Sequence, residues 1–489
     1  MITFVSSLIL LVGGYALYGL FVERIFGADP KRTTPCYKLQ DGVDYIPMAT
    51  WKVFLIQFLN IAGTGPIFGA IQGILFGPSA YLWIVLGCIF GGAVHDYLSG
   101  MISLRKDGAS LPQIIGDEMG KSLRLINLIL SLVLMVLVGA VFVTTPAGLL
   151  ANLTQEWGDK SSLLLIWTIL IFLYYILATL LPIDKLIGRI YPVFGMALLI
   201  MAVGVLFGVL FNQGSLPEIT TAFENHHPAA KPLPIFPGLF ITIACGAVSG
   251  FHATQSPMMA RCLKNEKLGR PIFYGAMITE GFVALIWAAA AIKFADSLSV
   301  EGATPYEKLL TAMTDPDTGK INPAIIVNSI CNSWLGTAGA VLAILGVVAA
   351  PITSGDTALR SARLILADFL KFKQDKLYKR FVLALPIFLA CFILLNINFD
   401  VLWRYFAWMN QTLSVFTFWA ITIYLAKNHR GKAYFVGLVP ALWMTMVCST
   451  YILLAPEGFS IDPTVSYWIG GVVCLASLFC FIFKYKKHL

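Results

Sequence analysis

Long runs of aliphatic and aromatic positions, parted by short polar breaks, repeat along the whole chain. A helical crossing of a bilayer takes about 20 apolar residues, and the runs predict thirteen such helices. They fall at 2–22, 51–76, 79–104, 123–150, 161–181, 189–211, 237–258, 271–294, 333–353, 380–396, 400–425, 433–454 and 463–484. No ten-residue alternation of a lipid-facing strand appears, and open sheet edges are not tolerated in lipid. The fold class expected is an all-α integral membrane protein. The first run, Ile2 to Val22, lacks a basic leader and a small-residue cleavage site, so it reads as a retained helix and not a signal peptide.

Charge turns this pattern into a topology. Of the 34 Lys and Arg residues, 28 lie on odd-numbered connections or the C-terminal tail and six on even-numbered ones. Basic residues favour cytoplasmic loops, so the N-terminus is expected outside and the C-terminus in the cytoplasm. The connection over 295–332 is expected on the outer face. It is acidic (Asp296, Glu301, Glu307, Asp315, Asp317), and a short surface helix is expected from Pro323.

Composition excludes a water-soluble body. The chain has 489 residues, 58% hydrophobic and 12% charged, with mean hydropathy +0.80; soluble proteins carry about 25% charged residues. The net charge of +8 is spread over loops and implies no nucleic acid. The nine cysteines show no CxxC or Cys/His spacing and mostly sit within apolar runs, as small packing residues. No metal site and no cofactor are expected.

Two runs carry breaks near their midpoints. The second contains Ile61-Ala62-Gly63-Thr64-Gly65-Pro66, and the seventh Cys245-Gly246-Ala247-Val248-Ser249-Gly250-Phe251-His252. Pro removes a backbone donor and paired glycines weaken a helix; close packing alone also draws Gly and Pro into membrane helices. The breaks lie five runs apart, so they enter from opposite faces, as in an inverted repeat. The halves would be 51–211 and 237–425, with 1–50 and 433–489 peripheral. Gly63, Thr64, Gly65, Gly246, Ser249 and Gly250 would offer backbone and hydroxyl groups to a solute, joined by His252, Gln255, Asn410 and Gln411.

Ionisable groups inside a bilayer are costly and usually functional. Glu280 falls mid-run and suits a proton carrier; a packing carboxyl is the plainer alternative. His252 follows the second break and either titrates or fills a core position. Asp96, next to His95, either shares in coupling or pairs with Arg105. Asp356 with Thr353 forms a rival cation site, against a plain pair of Asp356 with one of the arginines that follow, Arg360 or Arg363. Lys293 and Arg404, toward the outer face, either attract an anion or snorkel.

Several segments resemble the carbon starvation protein A (CstA) family: Gly27-Ala28-Asp29-Pro30, Thr34-Pro35, Asp41-Gly42-Val43-Asp44-Tyr45-Ile46-Pro47, IAGTGP at 61–66, RKDGASL at 105–111 and LFITIACGAVSGFH at 239–252. The Asp356, Arg360, Arg363 pattern and Asn410-Gln411 resemble it too, so the matches run from about residue 20 to 450. The resemblance implies a prokaryotic cytoplasmic-membrane transporter related to the amino acid–polyamine–organocation superfamily, with a LeuT-like core. It implies uptake of peptides or proton-coupled uptake of pyruvate. The chain is shorter than the pyruvate-associated form, and after SGFH it reads Ala253 to Met259, which loosens the transfer of substrate.

The function expected is a secondary importer of a small organic solute (peptide, amino acid or carboxylate), driven by H+ or Na+, with the lipid bilayer as its other partner. A membrane-embedded enzyme is the alternative from another class, but no clustered carboxylates or metal spacings support it.

Overall fold

The computed structural model describes residues 1–181, 187–228, 234–314, 319, 321–396, 399–428, 431–456 and 458–485. Among these residues the chain is helical throughout, with no strand; Thr314 and Ile321 form one isolated antiparallel bridge.

Nine helices of the described residues are long and apolar enough to cross a bilayer. They are α1 (Ile2–Phe26), α4 (Ser79–Arg105), α6 (Lys121–Leu153), α7 (Lys160–Leu180), α8 (Ile187–Phe211), α11 (Glu266–Asp296), α15 (Leu377–Leu394), α17 (Phe435–Leu454) and α18 (Pro463–Tyr485). A tenth crossing is a pair bent by 46°, α2 (Thr50–Ile61) and α3 (Gly65–Phe76). The remaining three expected runs are helical as well. The seventh is two short helices, α9 (Ile235–Thr242) and α10 (His252–Ala260). The ninth falls within α13 (Pro323–Ala343), a π-turn and α14 (Ala349–Leu370), and the eleventh within α16 (Phe399–Asn428).

Two short helices complete the order. α5 (Leu111–Met119) follows the basic connection after α4, and α12 (Pro305–Met313) lies in the acidic connection after α11. The Thr304 hydroxyl accepts from the Glu307 amide while Glu307 reaches back to the Thr304 amide, the reciprocal cap that starts a helix in water. A helix does start at Pro323, and the 21-residue stretch Pro323–Ala343 is two helices joined across a kink at Gly336 (φ 61°). Asp315 and Asp317 lie outside the described residues.

Burial separates centre from rim. The most apolar stretches of α4 and α11 are 83% buried, against 22% for α1, 28% for α7 and 17% for α18. Lipid is as apolar as leucine, so helices meet through small residues and polar contacts. α11 follows that rule: Gly281, Ala284 and Ala288 to Ala291 are all buried. The rim helices instead present Ile9, Leu17, Leu165, Trp468 and Phe483 outward.

Candidate functional site

The first break follows from its sequence. The helix α2 ends at Ile61, Ala62 leaves helical geometry (φ −85°, ψ 57°), and Pro66 sits in the first turn of α3. There its missing N–H costs nothing, because first-turn amides have no intrahelical partner. The second break spans 243–251, with Gly246 at φ 91°, a conformation that side chains resist.

The two breaks meet. Gly65 faces the Cys245 side chain, and Gly246 faces Pro66 and Ala284. Two other helices hold the unwound backbone. Asn410 of α16 accepts from Ser249 Oγ (3.1 Å) and from the Phe251 amide (2.7 Å) through its Oδ1. Gln411 Nε2 donates to the Phe240 carbonyl (2.9 Å). Ser354 of α14 donates to the Leu59 carbonyl (3.1 Å), just before the first break. A Cβ on Gly250 would collide with the Asn410 carbonyl and the Ser414 amide, so only glycine allows this approach.

Against this junction lies a chain of titratable groups, each fully buried. His95 Nδ1 is 2.8 Å from Asp96 Oδ1, His252 Nδ1 is 2.9 Å from Asp96 Oδ2, and His252 Nε2 is 3.6 Å from Glu280 Oε2. A carboxylate accepts only, so both Nδ1 atoms carry hydrogens directed at Asp96. In neutral His252 the Nε2 atom is then an acceptor facing a carboxyl, and a single proton can be held on either side. Donor atoms of Cys245, His252 and Glu280 lie within 4.8 Å of one another, and the Cys245 thiol also meets Ser249 Oγ at 3.7 Å.

Gln255 bridges α10 to α14, accepting from Ser361 Oγ (3.2 Å) and donating to Thr254 Oγ1 (3.0 Å). Asp356 and Thr353 form a separate cluster. Tyr191 meets both the Asp356 carboxyl and the Thr353 carbonyl, while Asp356 Oδ2 has no partner. The Thr353 hydroxyl turns back to the Ala350 carbonyl (2.8 Å).

Two pairings weighed from the sequence resolve differently, and Lys293 finds a backbone partner. Asp96 joins the two histidines, and Arg105 instead meets Glu266 (3.3 Å) and the Gly27 carbonyl (2.7 Å). Arg360 and Arg363 meet Asp44, at 3.0 and 3.3 Å, and among the described ion pairs neither meets Asp356. Lys293 Nζ donates to the Val209 carbonyl near the end of α8 (2.7 Å); the Arg404 side chain lies outside the described residues.

Sequence reading singled out Thr64 but passed over Gln57 and Asn60, which precede it. Gln57, Asn60 and Thr64 are buried, and none of their side-chain polar atoms has a partner. Their spacing of three and four residues puts Gln57 and Asn60 on one helical face, leading into the break at Thr64. The signal that marked Asn410, an amide within an apolar run, marks Asn60 equally. Buried polar groups are nearly always paired, so an unpaired row beside a helix break is a candidate place for a ligand.

Broken crossing helices meeting over unpaired polar groups define the class: a multi-pass membrane protein built as a transporter. Solved manganese transporter structures from Eremococcus coleocola share the fold. One bound to an aromatic bis-isothiourea compound aligns with TM-score 0.53 at 13% identity, covering 92% of this chain and 99% of that one. The chain belongs to the carbon starvation protein CstA family, whose model matches residues 1–166 and 159–306. It is 47% identical to an uncharacterized membrane protein of Haemophilus influenzae, over 60% of this chain and 91% of that protein. It is 25% identical to the peptide transporter CstA of Escherichia coli, over 95% of this chain and 82% of the relative. The pyruvate/proton symporter BtsT of the same organism is 29% identical, over 59% of this chain and 48% of its own length.

Proposed function

We propose that this protein is a proton-coupled secondary importer of a small organic solute, a short peptide, amino acid or pyruvate-like carboxylate, in the cytoplasmic membrane of a prokaryote. The observation that carries the reading is His252, set between Asp96 and Glu280 at the mouth of the second break. Solute would sit where the breaks meet, against Gly63, Thr64, Gly65, Gly246, Ser249 and Gly250, with Asn60, Asn410 and Gln411 supplying amides. Glu280 and His252 would exchange the coupling proton, and Asp96 would hold His252 in the required tautomer. Freed amides at half-helix ends favour a carboxylate. The names of the peptide-transporting and pyruvate/proton-symporting relatives support the same solute classes.

In this reading 51–211 and 237–425 are inverted repeats of a LeuT-like core, and the basic loops face the cytoplasm. Alternating access would rock α2, α3, α4, α9, α10 and α11 against the rest. A sodium-coupled carrier is the second reading, favoured by the unpartnered Asp356 Oδ2 beside Thr353. Labelled pyruvate, amino acids and dipeptides offered to proteoliposomes under imposed proton or sodium gradients separate the two. Accumulation driven by the proton gradient in sodium-free buffer supports the first reading. Strict sodium dependence supports the second, and no counterflow of any solute contradicts both.

A further inference from the structure

A second buried polar cluster lies away from the breaks, beneath the connection between α1 and α2. Arg360 and Arg363, one turn apart on α14, are fully buried, and Asp44 lies between them. Asp44 Oδ1 is 3.0 Å from Arg360 Nη1, and Asp44 Oδ2 is 3.3 Å from Arg363 Nη2. Arg360 also donates to the carbonyls of Ala178 and Leu181 at the C-terminal end of α7, and Arg363 to the Gln374 side chain. Buried Arg380 packs beside them on the carbonyls of Leu180 (3.0 Å) and Gln374 (2.9 Å). Arg261 pairs with Asp368 at 3.0 Å and leaves no net charge.

Guanidinium groups do not deprotonate in proteins. Two buried guanidinium groups, Arg360 and Arg363, therefore share the one carboxylate of Asp44, while Arg380 beside them is held by carbonyls alone, among them Leu180 at the negative end of α7. The Nε atoms of Arg360 and Arg363 have no partner, although each could donate to an oxygen in the plane of its fork. Buried cations with spare donors are costly unless an anion completes them. Asp44 supplies only part of that anion, from a connecting segment, not from a helix.

We propose that Arg360 and Arg363 form a carboxylate-binding site in which Asp44 stands in for a carboxylate of the transported solute. A solute leaving the central site toward the basic loops displaces Asp44, and Asp44 returns when the solute departs. The occupant's identity rests on the reading of the solute as a carboxylate; the anion site itself does not.

The test uses the purified full-length protein with Asp44→Asn, which removes the internal carboxylate and keeps both arginines. Millimolar acetate is expected to raise the thermal unfolding midpoint of Asp44→Asn by several degrees. The wild type and the Asp44→Asn/Arg363→Gln double variant should not move. Recovery of folded Asp44→Asn only when acetate is present from lysis onward also supports the site. The proposal is overturned by an equal shift in the wild type, by no shift in Asp44→Asn, or by failure to recover that variant with or without acetate. Sulfate matching acetate at equal ionic strength overturns the carboxylate assignment. None of these readouts involves a proton gradient, so loss of proton coupling leaves this result standing, and the reverse.

Discussion

Asp96 and Asp44 are both buried carboxylates, and each is held by two nitrogen-bearing side chains. Asp96 lies between the imidazoles of His95 and His252, and Asp44 between the guanidinium groups of Arg360 and Arg363. Imidazole gains and loses its proton near neutral pH, whereas guanidinium stays charged. The central cluster can therefore change its charge in place. The cluster beneath the connection between α1 and α2 keeps its positive charge and can only change its partner. In the roles proposed above, the same carboxylate chemistry serves a switch in one setting and a latch in the other.

The largest effect expected follows from that contrast. Asp44→Asn leaves permanent cations without their carboxylate and should lower stability by about 3–5 kcal/mol in acetate-free buffer, the usual cost of breaking a buried ion pair. Asp96→Asn leaves histidines that can turn neutral, and should cost about 1–3 kcal/mol, as for a broken buried hydrogen bond. Thermal unfolding of the two purified variants decides it; equal losses would erase the distinction.

Acidification probes the same latch. Burial by itself raises the Asp44 carboxyl, but Arg363, Arg360 and Arg261 outweigh it and hold the group below the ordinary carboxylate range. A pKa depressed in the folded state gives stability that is full above the unfolded value of about 3.9 and is lost as pH falls through the folded value. The unfolding midpoint of the wild type should drop more steeply below pH 4 than that of Asp44→Asn, and parallel acid limbs would contradict this.

Smaller effects separate residues that hold the site from those that face the solute. Asn410→Ala removes acceptors from Ser249 and Phe251 and should cost about 1–3 kcal/mol of stability together with counterflow activity. Asn60→Ala removes a side chain without partners in the protein. Because an unpaired buried amide is itself a cost in the folded state, stability should not fall, while the half-saturating solute concentration should rise; a large stability loss would make Asn60 a structural residue.

Much of this was legible before the structure. Apolar length located the crossing helices, because lipid leaves so few ways to satisfy a backbone. Gly63 to Pro66 and Gly246 to Gly250 announced breaks through residues that disfavour helix, and Glu280 and His252 stood out as charges in apolar runs. Pairing was not legible. Asp44 meets Arg360 across 316 positions, and nothing local to either residue says so. Asp96 was weighed against Arg105, nine residues along its own helix, but its partner His252 comes from a different element. Tyr191, which ties Asp356 to the Thr353 carbonyl, looked like any tyrosine near a helix end. Local rules find residues under strain; only the packed chain says which of them meet.

The central claim is that Glu280 takes part in moving the coupling proton. Glu280→Gln keeps the shape of the side chain and removes its charge change. In proteoliposomes with an imposed proton gradient, this variant should fail to accumulate solute above equilibrium yet exchange labelled for unlabelled solute in counterflow at close to the wild-type rate. Concentrative, proton-driven uptake by Glu280→Gln would contradict the account.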